Sequence, residues 1–310
     1  MNRERSKGMT PVVLVTGACG FVGTWVVREL LSRNAKVVAI DHQSIPSRWE
    51  RVIGDEREDV TYAQTEITDR DTLLALMNQH NVTHVIHLAA LLTPACQTDP
   101  FEGCRVNILG STALFDAARL TGRITTISYA SSYAVYGESS DPAENEPHTF
   151  YGAFKQSVDL IAKQYWEHFQ IASLAIRPHI VYGAERDMGL TAGPSLACRA
   201  AALGEPYQIN YSGSGGYDFV EDVSTAFVRS AFECPPGAHV VNLPSQAATP
   251  RDFVEQITAQ VPAAAELLTH GGPEIPLNKS PESKDIRDII SDWKATDLSE
   301  GIRRTIKFYQ

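Results

Sequence analysis

Short apolar runs alternate along this chain with amphipathic stretches, and that alternation sets the predicted architecture. Val12-Val13-Leu14-Val15 is β-branched and uninterrupted, the pattern of a strand buried on both faces. Trp25-Val26-Val27-Arg28-Glu29-Leu30-Leu31 then carries an apolar face at helical spacing. Further strands are predicted at Val37–Ile40, Val60–Gln64, His84–Ala90, Ile124–Ser128 and Ile171–Pro178. Between them lie a helix with Leu73, Leu74, Leu76 and Met77 on its core side and two long helices near 100–121 and 151–169. Strand–helix alternation of this kind predicts an α/β fold with a doubly wound parallel sheet.

The first strand and helix are joined by Thr16-Gly17-Ala18-Cys19-Gly20-Phe21-Val22-Gly23. Gly17 permits a tight turn, Gly20 lets backbone approach a pyrophosphate, and Gly23 lets the helix pack on the strand. The helix start offers the N–H groups of Phe21, Val22 and Gly23 to phosphate. The second strand ends at Asp41, 18 residues after Gly23, close to the spacing at which an acid meets the adenosine ribose. That acid repels a 2′-phosphate and favours NAD over NADP, while Arg48 in the following polar loop keeps NADP in play. Cys19 is read as a small residue that fits the turn.

Composition narrows the partners. The chain has 310 residues, 43 % hydrophobic and 21 % charged, and a net charge of −10 with no long basic run. Nucleic acid and anionic membrane are therefore not expected partners, and no apolar stretch reaches the roughly 18 residues of a membrane span. Five cysteines without a C-x-x-C pair argue against a disulfide framework and a metal site. The expected compartment is a reducing cytoplasm. Residues 1–10 read as a disordered tail.

The spacing G-x-x-G-x-x-G resembles that of the extended short-chain dehydrogenase/reductase family, of the NAD-dependent epimerase/dehydratase type, and the resemblance continues along the chain. It implies a Rossmann-like sheet and an NAD cofactor. It places Glu66-Ile67 at the adenine, Leu88, Ala89 and Ala90 along the cofactor at the exit of the fourth strand, and Pro178 and His179 beside it. Val106–Thr112 resembles V-N-x-x-G-T, in which Asn107 holds backbone around the site and borders the cofactor. His87 is read as a packed histidine. Ala130–Gly137 followed by Tyr151-Gly152-Ala153-Phe154-Lys155 resembles S-S-x-x-V-Y-G and Y-x-x-x-K. A spacing of four puts Tyr151 and Lys155 on one helix face, about 40° apart. The pairing suits proton transfer, because a tyrosine needs a nearby positive charge to lose its proton near neutrality. Tyr151 is thus the expected acid–base, Lys155 its partner and ribose ligand, and Ser132 the hydrogen-bond partner of the reacting oxygen. Tyr136 is expected to support the loop.

Two positions depart from the family pattern. Ile180 stands where R-x-x-N-x-Y-G has its Asn, and Gly215 stands where R-D-Y-x-x-V-x-D-V has its Arg. Both family residues hold a nucleotide diphosphate. Substrate candidates are Thr93, Ser131, Ser132, Tyr133 and Arg186; for Thr93 and Arg186 ordinary loop solvation is the competing reading. Expected boundaries are a nucleotide domain over 11–178, completed by 216–249, and a smaller substrate lobe from 179–215 and 250–310. The resemblance implies an NAD-dependent oxidoreductase acting on a secondary alcohol or ketone of a small, polar, sugar-like molecule, a role in carbohydrate metabolism. An epimerase working by transient oxidation and a non-catalytic NAD sensor are the alternatives. Relatives pair through the two long helices, so a homodimer is expected.

Overall fold

Each strand predicted in the first half forms, and each runs parallel to its neighbours. They are β1 (Val12–Thr16), β2 (Lys36–Asp41), β3 (Thr61–Gln64), β4 (His84–His87), β5 (Thr126–Ala130) and β6 (Ser173–Arg177). The second half adds β7 (Ile180–Tyr182), β8 (Tyr207–Ile209), β9 (Gly215–Phe219), β10 (Ala238–Asn242), β11 (Gln246–Ala248) and β12 (Leu268–His270). The structure is a computed structural model that describes residues 10–139, 141, 143–276, 280 and 284–310; of the expected tail only Thr10 falls within them.

The large sheet has seven strands in the order β10-β6-β5-β4-β1-β2-β3. Alternate residues of β1 feed two separate cores. Val13 and Val15 pack with Trp25, Val27 and Phe227, while Leu14 packs with Leu73, Met77, Leu114 and Phe115 on the other face. Helices cover both faces, which is why β1 is apolar without alternation. The order reverses between β1 and β4, so a crevice opens at the carboxyl ends of these strands.

The long helix predicted from Pro100 is interrupted. Pro100–Cys104 and Gly110–Thr121 are α-helical, but Arg105–Leu109 forms a π-turn. The cause lies inside it: Asn107 is buried and bonded to the backbone of Leu91, which fixes its angle around the axis. Insertions of this kind are frequent at functional sites.

Of the segment 216–249, β10 joins the large sheet beside β6, whereas β9 enters a separate three-stranded sheet, β11-β9-β7. β8 and β12 pair alone. Thr249 and Asp252 form a capping box at the start of Pro250–Gln260.

Candidate active site

The glycine turn is built by exclusion. Gly17 has φ +67°, and a Cβ there would lie 2.7 Å from the backbone nitrogen of Ala89. A Cβ on Gly23 would lie 2.1 Å from the carbonyl oxygen of Gly17, so the helix Phe21–Ser32 sits directly on the turn. Gly20 provides no side-chain cap, which leaves the first turn of that helix open to an anion.

A cleft runs from this turn along β2 and β4. It is lined by Gly17, Gly20, Asp41, Glu66, Ile67, Leu88, Ala89 and Ala90, among others. One Asp41 oxygen accepts from Cys19 N at 3.0 Å and the other from Gln43 N at 3.2 Å. Arg48 pairs with Asp187 at 2.6 Å, so its charge is already neutralised. Glu66 is half-exposed at the rim, 3.5 Å from Arg105, while Ile67 is buried against Gly110. The cleft therefore combines a glycine cradle, an open helix terminus and a carboxylate at the end of β2, a donor set that fits a dinucleotide. Burial pushes the Cys19 thiol up to about 11, which keeps it protonated and inert.

Behind the cleft, Thr16 Oγ1, His87 and Ser111 form a buried chain with His87 Nδ1 2.7 Å from Thr16 and Nε2 2.9 Å from Ser111. Burial, with Lys155 adding to it, brings His87 down to about 3, so it stays a neutral structural link. Asn107 accepts from Leu91 N at 2.8 Å and donates to Leu91 O at 3.0 Å. It reaches the cleft only through that backbone.

Tyr151 and Lys155 lie on the helix Phe150–Phe169, capped by Thr149. Gly152 lets this helix press onto the loop that follows Ser132: a Cβ there would meet the Ala134 oxygen at 2.0 Å. Ser132 Oγ accepts from Ala134 N at 3.1 Å, which leaves its own O–H to donate. Lys155 Nζ donates to Ala130 O at 2.6 Å and lies 5.7 Å from the Tyr151 ring centroid.

The protonation balance differs from the expected one. Burial raises Tyr151 to about 12, with Ser132 pulling in the opposite direction. The expected lowering by Lys155 is not met, because burial dominates and the ammonium is turned to Ala130. Burial brings Lys155 itself down to about 8, with Asp159 opposing.

Ser131, a substrate candidate, instead donates to Asp159 at 2.9 Å and is buried. Asp159 pairs with Arg177 at 2.7 Å, Arg177 reaches Tyr136 OH at 2.6 Å, and Tyr136 donates to Asn242 at 3.0 Å. This network braces the Lys155 helix against β6 and β10, and sequence reasoning identified only Tyr136 as a support. Asp159 follows Lys155 by four residues, and that spacing is the signal that would have flagged it.

Tyr133 stacks between Tyr136 and His179, at 5.0 and 4.6 Å, and its N–H binds Pro178 O at 3.1 Å. His179 donates its backbone N–H to Asp218 at 2.7 Å, and burial lowers its ring to about 4. Thr93 is half-buried at the start of the helix Thr93–Thr98 and is not among the residues lining the cleft.

The two departures from the family pattern meet in space. A Cβ on Gly215 would lie 2.8 Å from Ile180 Cδ1. The isoleucine fills the room an arginine side chain would need. Arg186, in the loop after β7, donates to Val181 O and to Thr191 Oγ1, the latter at 2.8 Å. Among the described residues no group of three or more acids, histidines or cysteines is arranged to hold a metal, and no helix is long and apolar enough to cross a membrane.

Comparison with known proteins agrees with this geometry. The model of the NAD dependent epimerase/dehydratase family matches residues 13–243. A UDP-glucose 4-epimerase of Mycolicibacterium smegmatis is 28 % identical over 309 residues, 96 % of this chain and 98 % of that protein. The structure of a UDP-N-acetylglucosamine 4-epimerase from Methanobrevibacter ruminantium, in complex with UDP-N-acetylmuramic acid, is similar with a TM-score of 0.82 and 26 % identity, covering 97 % of this chain and 99 % of that one. An L-threonine dehydrogenase from Clostridium difficile shares the fold at a TM-score of 0.82 and 18 % identity, covering 97 % and 98 %.

Proposed function

The chain belongs to the NAD-dependent epimerase/dehydratase family, with NAD as its cofactor, and from that premise we propose that Ser132, Tyr151 and Lys155 interconvert a secondary alcohol and a ketone on a small, polar, sugar-like substrate. The observation that supports the reading is that Tyr151 and Lys155 share one helix, pressed by Gly152 onto the loop that follows Ser132, with Lys155 Nζ 5.7 Å from the Tyr151 ring centroid.

In the reducing direction Tyr151 Oη, which burial keeps protonated, gives its proton to the ketone oxygen; in the oxidising direction its phenolate, a form that the positive charge of a bound nicotinamide would favour, takes the carbinol proton. Ser132, whose O–H is not used by the protein backbone, donates to the same substrate oxygen and orients it. Lys155 spends one of its three N–H groups on Ala130 O and has two for the ribose hydroxyls of the cofactor. Bound cofactor would supply the redox chemistry, the oxidised form as acceptor of the carbinol hydride and NADH as its donor to the ketone. Gly17, Gly20, Phe21, Val22 and Gly23 hold its phosphates, Asp41 its adenosine ribose, and Glu66 with Ile67 its adenine edge. Leu88, Ala89 and Ala90 provide small-residue backing, and Pro178 and His179 border the nicotinamide end. Asn107 serves the same site by fixing Leu91.

Epimerisation uses the same proton and hydride machinery, and the likeness to epimerases over nearly the whole chain supports it as the second reading. The test is to incubate protein and NAD with a library of sugars and sugar acids, following NADH absorbance beside product stereochemistry. Accumulating NADH identifies a dehydrogenase, and altered stereochemistry without it an epimerase. Tight NAD binding with neither result overturns the catalytic reading.

A homodimer through the two long helices is supported by exposed apolar side chains on both: Phe101, Leu109 and Leu120 on one, and Phe150, Leu160 and Phe169 on the other. A monomer by light scattering at micromolar concentration contradicts it. All five cysteines are free, which supports a reducing, cytoplasmic setting.

A further inference from the structure

The loop from Ala184 to Thr191 turns its charged side chains in opposite directions. Glu185 faces Arg51, at 2.9 Å, and Asp187 faces Arg48, at 2.6 Å. Trp25 Nε1 holds the Ala184 carbonyl at 3.0 Å, and the Glu185 N–H binds Tyr309 OH at 2.6 Å. The loop is thus clamped to the nucleotide side by both of its acids. Arg186, between them, turns inward.

There it meets neutral groups. Two of its five N–H donors go to Val181 O and Thr191 Oγ1, and the groups that influence its charge are the hydroxyls of Tyr211 and Tyr217, 3.1 Å from each other. Burial raises both tyrosines, so they stay uncharged donors. Burial lowers Arg186 to about 10, so it remains a cation at neutral pH. No carboxylate among the described residues pairs with it. Arg186 is half-buried, a cation drawn partly out of water with no counter-charge beside it, and the two acids adjacent in sequence are committed elsewhere. Tyr217 also borders the Ile180–Gly215 contact: its ring lies 3.6 Å from where a Gly215 Cβ would stand. Tyr217 therefore connects the surroundings of Arg186 with the place where the family pattern has its diphosphate anchors.

We propose that Arg186, with Thr191, binds a carboxylate of the substrate, so that this chain acts on a hydroxy acid and not on a nucleotide diphosphate. The inference rests on the redox reading above and narrows its substrate class. One guanidinium with free N–H groups matches one carboxylate. A diphosphate carries more charge than one arginine neutralises, and it would face Ile180 in place of a hydrogen-bonding amide.

The test uses the full chain with NAD. D-gluconate is compared with D-glucitol and D-galacturonate with D-galactose, with glucose 6-phosphate and UDP-glucose as the competing anions. Binding is read by thermal shift, and reaction by NADH absorbance and product stereochemistry. At least one sugar acid is expected to bind tenfold or more tightly than its neutral counterpart. Arg186→Gln removes that preference, Arg186→Lys keeps part of it, and Thr191→Val reduces it several-fold. Unchanged NAD affinity reports that each variant is folded, and Thr191→Val decides the matter if Arg186→Gln is not. The proposal is overturned if neither acid is preferred, if the preference survives Arg186→Gln, or if a phosphate compound binds as tightly as the acids. Arg186-dependent binding of an acid with no NADH and no stereochemical change overturns the redox reading and leaves the subsite standing.

Discussion

The two ends of the site are built on opposite principles. Around Tyr151 the backbone is crowded and the supporting side chains are anchored: Gly152 against Ala134, Lys155 on Ala130, Ser131 on Asp159. At the other end the positions that match diphosphate anchors in the family are apolar or bare, and Arg186 is left without a carboxylate partner among the described residues. Crowding fixes reacting groups to the fraction of an ångström that proton transfer needs. An unfilled polar demand is instead what a ligand answers. Chemistry and specificity are thereby separable, and substitutions at one end should leave the other intact.

The largest effect is expected from Tyr151→Phe. It removes the proton-transfer oxygen and keeps the ring, so turnover falls by about 10²–10⁴-fold with NAD affinity near wild type. Single-turnover rates beside a cofactor titration check it; wild-type turnover would move the chemistry to another residue.

Gly152→Ala attacks crowding directly. The added methyl meets backbone, not a flexible side chain, so the helix must shift, at a cost of about 1–3 kcal/mol by overpacking. Urea unfolding should show the loss together with reduced turnover. Unaltered stability would mean that the contact relaxes freely.

At the other end, Ile180→Asn and Gly215→Arg form a double-mutant cycle. Singly, each is destabilising: the amide enters an apolar contact, and the arginine meets Ile180 Cδ1 at the 2.8 Å position. Together they are expected to couple by about 0.5–3 kcal/mol. Additive unfolding free energies would show that the two sites do not touch.

Lys155→Met sharpens the comparison through pH. The folded protein holds Lys155 near 8, below its ordinary 10.5. Folding therefore works against the charged amine below pH 8, and this cost disappears as pH rises through the ordinary value. The variant should gain stability relative to wild type at pH 7, with the gain shrinking towards pH 10, while losing NAD affinity at both. A gain that is constant with pH would exclude titration of Lys155 as its source.

The smallest change is expected from Asp41→Ala. Wild type should prefer NAD over NADP by at least tenfold, about 1.4 kcal/mol, and the variant should narrow the gap. Equal affinities in wild type would remove Asp41 from the ribose.

What could be read from the chain follows from distance along it. β1, the glycine turn and the Tyr151–Lys155 helix are each contiguous, so periodicity and spacing reveal them. The brace of Asp159, Arg177, Tyr136 and Asn242 draws on four separate segments, and the spacing of Asp159 from Lys155 is its one local trace. Arg186 was legible as a substrate candidate, but its lack of a carboxylate partner was not, for a related reason. Glu185 and Asp187 look like its partners in sequence, and only the fold turns them to Arg51 and Arg48. The π-turn at Asn107 was invisible because the residues around it suit an ordinary helix. The direction of the Tyr151 shift was missed because spacing registers a neighbouring charge but not burial.

Strand order also has a consequence for how the chain is made. β1, the earliest strand among the described residues, lies inside the sheet, and β10, more than two hundred residues later, closes the side that β6 would otherwise leave open. Until Ala238–Asn242 has left the ribosome, a nascent chain that has already built the nucleotide cleft presents the unpaired N–H and C=O groups of Ser173–Arg177. Truncation before β10 should accordingly yield a species prone to pairing with its own kind, whatever the state of its glycine turn.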